Sequence, residues 1–205
     1  MSKANIPNIL TISRIIFIII SMILATSDLQ EAGYSLSDSS IGLRYSAFIL
    51  AIIAGVTDLF DGYLARKWNQ VSDVGALLDP VADKIFITCT GLILVQFELM
   101  PCWILALIMS REFTVTGIRM AALRKGILIS ADRWGKLKTI FQMSMMGLGG
   151  LIWVNNWDIR KLDLPGTEIS LYVIWWVLLV VILLLTIFSG WGYFRQFSRM
   201  VKNLD

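Results

Sequence analysis

The sequence predicts an all-α integral membrane protein of six transmembrane helices, and three observations predict it. Hydrophobic residues make up 57% of the 205 and mean hydropathy is +0.72, whereas soluble domains use roughly 45–50% apolar residues. Charged residues are only 16%, too few to cover a water-soluble globule of this length. The apolar residues also gather into six stretches, each near the roughly 20 residues that a helix needs to cross hydrocarbon. A soluble enzyme is excluded. What remains between the stretches is short, so residues 1–205 form a single membrane domain with no separate soluble one.

The stretches run over about 9–26, 44–64, 80–97, 101–118, 137–155 and 169–190. The first follows Lys3, but no A-x-A-like cleavage site is well placed behind it and five more stretches come after, so it is predicted to be a retained helix. Residues 5–13 are expected to lie along the membrane interface ahead of that span. The second stretch ends among Asp58, Asp61 and Arg66, and the third opens at Pro80 directly after Asp79, a pair that looks like an N-cap followed by proline at the first helical position. Asp73 reads as a solvated loop residue or a cap. A tight turn over 98–101 leads into the fourth stretch, and Gly147, Gly149 and Gly150 suit close helix packing in the fifth. Trp153, Trp157, Trp175, Trp176 and Trp191 lie near span ends, where an aromatic belt is expected. Cys89 and Cys102 stand singly in apolar surroundings, as small buried hydrophobes do.

Alternate connections are acidic and basic. Asp28, Glu31 and Asp38 mark 27–43, while Arg66 and Lys67 mark 65–79, Arg119, Arg124, Lys125, Arg133 and Lys136 mark 119–136, and Arg195, Arg199 and Lys202 mark the tail. With both termini in the cytoplasm, 14 of the 18 basic residues, Lys3 and Arg14 among them, fall on that side or at its edge. Arg44, Arg160 and Lys161 fall outside and Arg111 lies within a span, so the positive-inside rule predicts N-in, C-in topology. No basic run interleaved with aromatics suggests nucleic acid as a partner.

Histidine is absent, which removes imidazole as a base or metal ligand. Ionisable residues at membrane depth are costly and mark function by default, and Asp58, Asp61, Asp79 and Asp83 fall within 26 positions at the cytoplasmic edge of the second and third spans. Asp58, Asp61, Gly62, Ala65 and Arg66 share one helical face, as do Asp79 and Asp83 on the next helix. Four carboxylates brought together stay ionised only with cations between them. All-oxygen ligation suits a hard ion, Mg²⁺ or Mn²⁺, and two such ions would balance the charge. A metal-lined cavity open to the cytoplasm is the expectation, with Gly62 and Ala65 leaving room for a ligand within reach of Arg66.

Asp58-x-x-Asp61-Gly62-x-x-Ala65-Arg66, eight residues, then Gly75-x-x-x-Asp79-x-x-x-Asp83 matches every specified position of the CDP-alcohol phosphotransferase signature. Asn5-Ile6-Pro7-Asn8, Ala65 to Asn69, Leu78 to Lys84, Arg111-Glu112-Phe113 and Gly135-Lys136-x-Lys138-Thr139 resemble the bacterial branch of that family that makes phosphatidylglycerophosphate. The likeness runs over nearly the whole chain, apart from 27–43 and the tail. It implies a six-span homodimer in the bacterial cytoplasmic membrane with its active site toward the cytoplasm. Asp58, Asp61, Asp79 and Asp83 would bind two Mg²⁺ or Mn²⁺ ions, Asp83 would also serve as general base, and Gly62, Arg66 and Ser72, beside Asp58, Asp61, Ala65 and Gly75, would hold CDP-diacylglycerol. The implied reaction joins CDP-diacylglycerol to sn-glycerol 3-phosphate, giving phosphatidylglycerophosphate and CMP.

A phosphorylated acceptor also needs cations. Arg111 lies inside the fourth span with Glu112 pointing about 100° away around the helix, Arg119 follows eight residues later on nearly the same face, and Lys136 and Lys138 open the fifth span at the same membrane edge. Arg111, Arg119, Lys136 and Lys138 are therefore expected to form the glycerol-phosphate pocket; plain membrane anchoring by the lysines and an Arg111–Glu112 ion pair are the alternatives. Rival acceptors are phosphatidylglycerol and an inositol or serine compound. A divalent-cation transporter fits less well, since the carboxylates sit at one membrane edge and Arg66 and Arg111 would repel a permeating cation.

Overall fold

The structure, a computed structural model, describes residues 6–31, 38–68, 73–124, 133–161 and 170–202, with side chains over 10–27, 41–57, 78, 80–123, 133–161 and 170–195. Within these, six helices follow one another: α1 (Ile6–Glu31), α2 (Asp38–Trp68), α3 (Asp73–Gln96), α4 (Cys102–Arg124), α5 (Arg133–Val154) and α6 (Leu171–Lys202). Each coincides with one predicted apolar stretch, and most extend beyond it, because the intrahelical hydrogen-bond ladder continues where the side chains turn polar. Among the described residues, the windows long and apolar enough to cross a membrane are Leu10–Ser27, Arg133–Val154 and Leu171–Arg195. The other three helices carry internal charges, such as Asp58 and Asp61 on α2 and Arg111, Glu112 and Arg119 on α4.

Three expectations about these elements are corrected. α1 is continuous from Ile6, with no break near Ser13 to set off an interfacial segment. α3 begins at Asp73, so Pro80 lies inside the helix and Asp79 does not cap it; the proline removes one amide from the ladder, and Lys84 Nζ donates to the Pro80 carbonyl at 2.9 Å one turn later. Asp73, expected in a loop or a cap, stands at the helix start. Trp153 and Trp175 are buried rather than in a belt, while Trp157 and Trp191 are exposed.

Two compact units divide the chain, residues 1–99 with 153–155, and residues 100–152 with 156–205. In the first, α1 packs on both α2 and α3. Small residues permit the close approach: Ala25, Ala47, Ala54 and Ala82 are wholly buried, Ser21 Oγ donates to the Ala47 carbonyl at 2.7 Å, and a Cβ added at Gly55 would stand 3.3 Å from the Phe86 ring. Backbones can meet this closely only where side chains are short. At the far end of this unit Phe97 stacks on Trp153 at 5.3 Å, Arg44 lies 5.6 Å over the Phe97 ring, and Tyr45 donates to Asn155. The turn after α3 places Glu98 at φ 57°, with Leu99 N–H bonded to the Leu94 carbonyl at 2.9 Å, a Schellman closure built on a residue other than glycine.

In the second unit α4 packs on α6, and Ile104, Ile108 and Val115 of α4 and Trp175, Leu179 and Ile182 of α6 are buried. The close approach is at Gly190, whose added Cβ would stand 3.3 Å from Arg111 Cγ, whereas Gly147 faces open space. Of the α5 glycines, Gly149 and Gly150 are buried. On the outer faces Ile12, Ile16, Ile19 and Ile23 of α1 and Val173, Val177, Val180, Leu184 and Ile187 of α6 stand exposed in rows. Apolar rows of this extent suit contact with lipid.

Replacing Ala47 by Leu should lower the thermal unfolding midpoint in detergent, by the equivalent of roughly 1–3 kcal/mol of overpacking, while Ile49→Val on the exposed face should leave it unchanged.

Candidate active site

The signature residues of the first unit lie on two helices. Asp58, Asp61, Gly62, Ala65 and Arg66 stand in the last third of α2, and Gly75, Asp79 and Asp83 in α3. Because α3 starts at Asp73 rather than Pro80, Gly75 joins Asp79 and Asp83 in an unbroken i, i+4, i+8 row. The side chains of Asp58, Asp61, Gly62, Ala65, Arg66, Gly75 and Asp79, and Ser72 altogether, lie outside the described residues. Gly55 and Phe86 fix where α2 and α3 touch, and Asp58 and Asp83 each lie three positions from that contact, on the side of the connection between the two helices.

Asp83 is described in full. Its Oδ1 accepts a hydrogen bond from Arg14 Nη1 at 2.8 Å, and Arg14 is 2% exposed against 54% for Asp83. The packing of α1 on α3 thus sets a buried guanidinium under a carboxylate that is anchored at one oxygen and still open to solvent. Counted by position alone, Arg14 looks like one more cytoplasmic cation. The signal that singled out Arg111, a cation inside an apolar stretch, applies to it equally.

Among the described residues, no three His, Cys, Asp or Glu side chains are grouped to hold a metal. The donor chemistry of the two helices nevertheless fits a hard dication, since four carboxylates in two helical rows supply oxygen alone.

The second unit assembles a separate polar cluster. Arg111 Nη1 lies 3.2 Å from Glu112 Oε1, and Lys138 Nζ, 3% exposed, donates to that same oxygen. Arg119 donates to the Tyr193 hydroxyl, and the guanidinium carbons of Arg111 and Arg119 lie 5.6 and 5.0 Å from the Tyr193 ring centroid. The Nε atoms of both arginines are buried with no hydrogen-bond partner among the described residues. Three of the four expected phosphate-pocket residues, Arg111, Arg119 and Lys138, therefore meet around Glu112 and Tyr193. Lys136 is exposed and two residues off, on another side of α5. Although Glu112 starts 100° around the helix from Arg111, the arginine is long enough to reach it, and the ion pair forms.

A model of the CDP-alcohol phosphatidyltransferase family matches residues 4–188. The chain belongs to that family. The proteins it resembles include CDP-diacylglycerol–glycerol-3-phosphate 3-phosphatidyltransferases of Bacillus subtilis strain 168, 37% identical over 97% of this chain and 98% of the relative, and of Haemophilus influenzae, 42% identical over 75% and 78%. One from Rickettsia typhi is 34% identical over 93% and 96%. The match to the CDP-alcohol phosphatidyltransferase family takes in the acidic rows on α2 and α3 and the basic residues of α4 and α5, and it stops short of Tyr193.

Lys136 and Lys138 should separate cleanly in stability. Lys138→Met removes the most buried partner of Glu112 and leaves it paired with Arg111 alone, so its unfolding midpoint should fall below that of Lys136→Met, which should match the parent.

Proposed function

We propose that this chain transfers the phosphatidyl group of CDP-diacylglycerol to sn-glycerol 3-phosphate and releases CMP, at the cytoplasmic face of a bacterial cytoplasmic membrane. The observation that carries the reading is full-length similarity to relatives bearing that name, at 37% identity over 97% of the chain. The distribution of basic residues supports six spans with both termini inside. A homodimer is proposed on the family resemblance alone.

Asp58, Asp61, Asp79 and Asp83 would hold two Mg²⁺ or Mn²⁺ ions, and Gly62, Ala65, Arg66, Ser72 and Gly75 would receive the CDP moiety. Bound there, the ions would supply charge neutralisation for the pyrophosphate and for departing CMP. Asp83 accepts the proton of the glycerol hydroxyl as that oxygen forms its bond to the phosphatidyl phosphorus and the bond to the CMP oxygen breaks. Arg14 holds Oδ1 of this base at 2.8 Å, which fixes the carboxylate against α1.

The charge of the second cluster favours the acceptor's class. Arg111, Arg119 and Lys138 against Glu112 leave a formal charge of two positive, the complement of a phosphate monoester, which carries about −1.5 to −2 at neutral pH. A phosphodiester such as phosphatidylglycerol offers only one negative charge, and free inositol or serine offers no phosphate at all.

Purified protein should release CMP only when glycerol 3-phosphate and Mg²⁺ or Mn²⁺ are both present, and a chelator should stop it; a lipid product whose mass carries another headgroup, from a mixture of acceptors, would sink the acceptor assignment. Asp83→Asn should lower kcat by roughly 10²–10⁴, and undiminished turnover would remove Asp83 as base. Arg119→Gln should raise KM for glycerol 3-phosphate by about ten- to a hundredfold through loss of a charged hydrogen bond.

A further inference from the structure

We infer that Tyr193 is a positioning residue of the phosphate-binding cluster, holding the guanidiniums of both Arg111 and Arg119 at its ring. The inference rests on the assignment of that cluster to the acceptor phosphate. Two like-charged guanidiniums repel each other, and in a buried site of low dielectric that repulsion is strong. The negative face of an aromatic ring is one of the few uncharged surfaces that attracts a cation, and the Tyr193 ring, 2% exposed, lies within 5.6 Å of Arg111 and 5.0 Å of Arg119.

The hydroxyl adds direction. It accepts a hydrogen bond from Arg119 Nη2, which fixes the plane of that guanidinium, because the five donors of an arginine form a rigid fork. A guanidinium fixed at one edge and unpartnered at Nε presents donors in a defined direction without the rotamer loss that a mobile arginine suffers on binding. Arg111 is fixed differently: Glu112 holds its Nη1 at 3.2 Å, and its stem passes the bare backbone of Gly190, one turn before Tyr193 on α6, with Cγ 3.3 Å from where a Cβ would be. α6 thus supplies both the notch that admits Arg111 and the ring on which the two arginines rest.

The geometry makes the hydroxyl and the ring separable. Tyr193→Phe keeps the ring and the packing volume and removes the acceptor for Arg119; Tyr193→Leu removes both. Steady-state kinetics in detergent micelles, varying glycerol 3-phosphate at saturating CDP-diacylglycerol and then the reverse, should show KM for glycerol 3-phosphate raised by roughly three- to tenfold in Tyr193→Phe and further in Tyr193→Leu, as loss of one and then two anchoring contacts implies. KM for CDP-diacylglycerol and kcat should stay within about twofold in Tyr193→Phe, since the ring is retained. A purely structural role would instead lower the unfolding midpoint and the active fraction while KM for glycerol 3-phosphate stayed constant, and that result overturns the inference. Arg119→Gln run alongside separates the two levels of the argument. If it raises KM for glycerol 3-phosphate while both Tyr193 variants leave it unchanged, the positioning role fails and the phosphate cluster stands; if Arg119→Gln leaves KM unchanged, the cluster assignment itself fails.

Discussion

Charge placed inside a helix bundle must be compensated where it sits, because desolvating an ion costs several kcal/mol even after the protein relaxes. That constraint organises the described side chains of both units. Arg14, nearly inaccessible, is met by Asp83; Lys138, equally buried, is met by Glu112, which also takes Arg111; Arg119 is met by the hydroxyl and ring of Tyr193. Each pairing joins different helices or adjacent positions whose long side chains can meet.

The two units solve the problem differently. In the first, a buried guanidinium supports a half-exposed carboxylate, so the charge that faces solvent is negative. In the second, three cations share one carboxylate and one aromatic ring, so the charge left over is positive. Small residues make the arrangement possible: Ala47, Ala54 and Gly55 bring α1, α2 and α3 into contact, and Gly190 lets the stem of Arg111 pass α6.

Much of this was legible before any coordinates. Hydropathy over about 20 residues locates each helix, because a span must satisfy its own backbone and bury its own apolar length, and all six predicted stretches are helical. Helical periodicity turns spacing into a shared face, and the structure puts Asp58 with Asp61 on α2 and Asp79 with Asp83 on α3. The misreadings are local. Pro80 looked like a helix start because proline favours that position, yet the chain continues helical from Asp73 with one ladder bond forgone. Trp153 and Trp175 looked interfacial by sequence position, whereas the packing around them places both rings in the interior.

The sequence by itself determined the helices, the order of acidic and basic segments, and the family. These depend on interactions along one helix or on composition, which spacing encodes. Only the tertiary structure decided that Arg14 belongs to Asp83, that Lys138 and not Lys136 turns inward to Glu112, and that Tyr193 lies under two arginines. Arg14 and Asp83 are 69 positions apart and Arg119 and Tyr193 are 74. No periodicity spans such distances, and which face of one helix meets which face of another is set by side-chain shape at the contact.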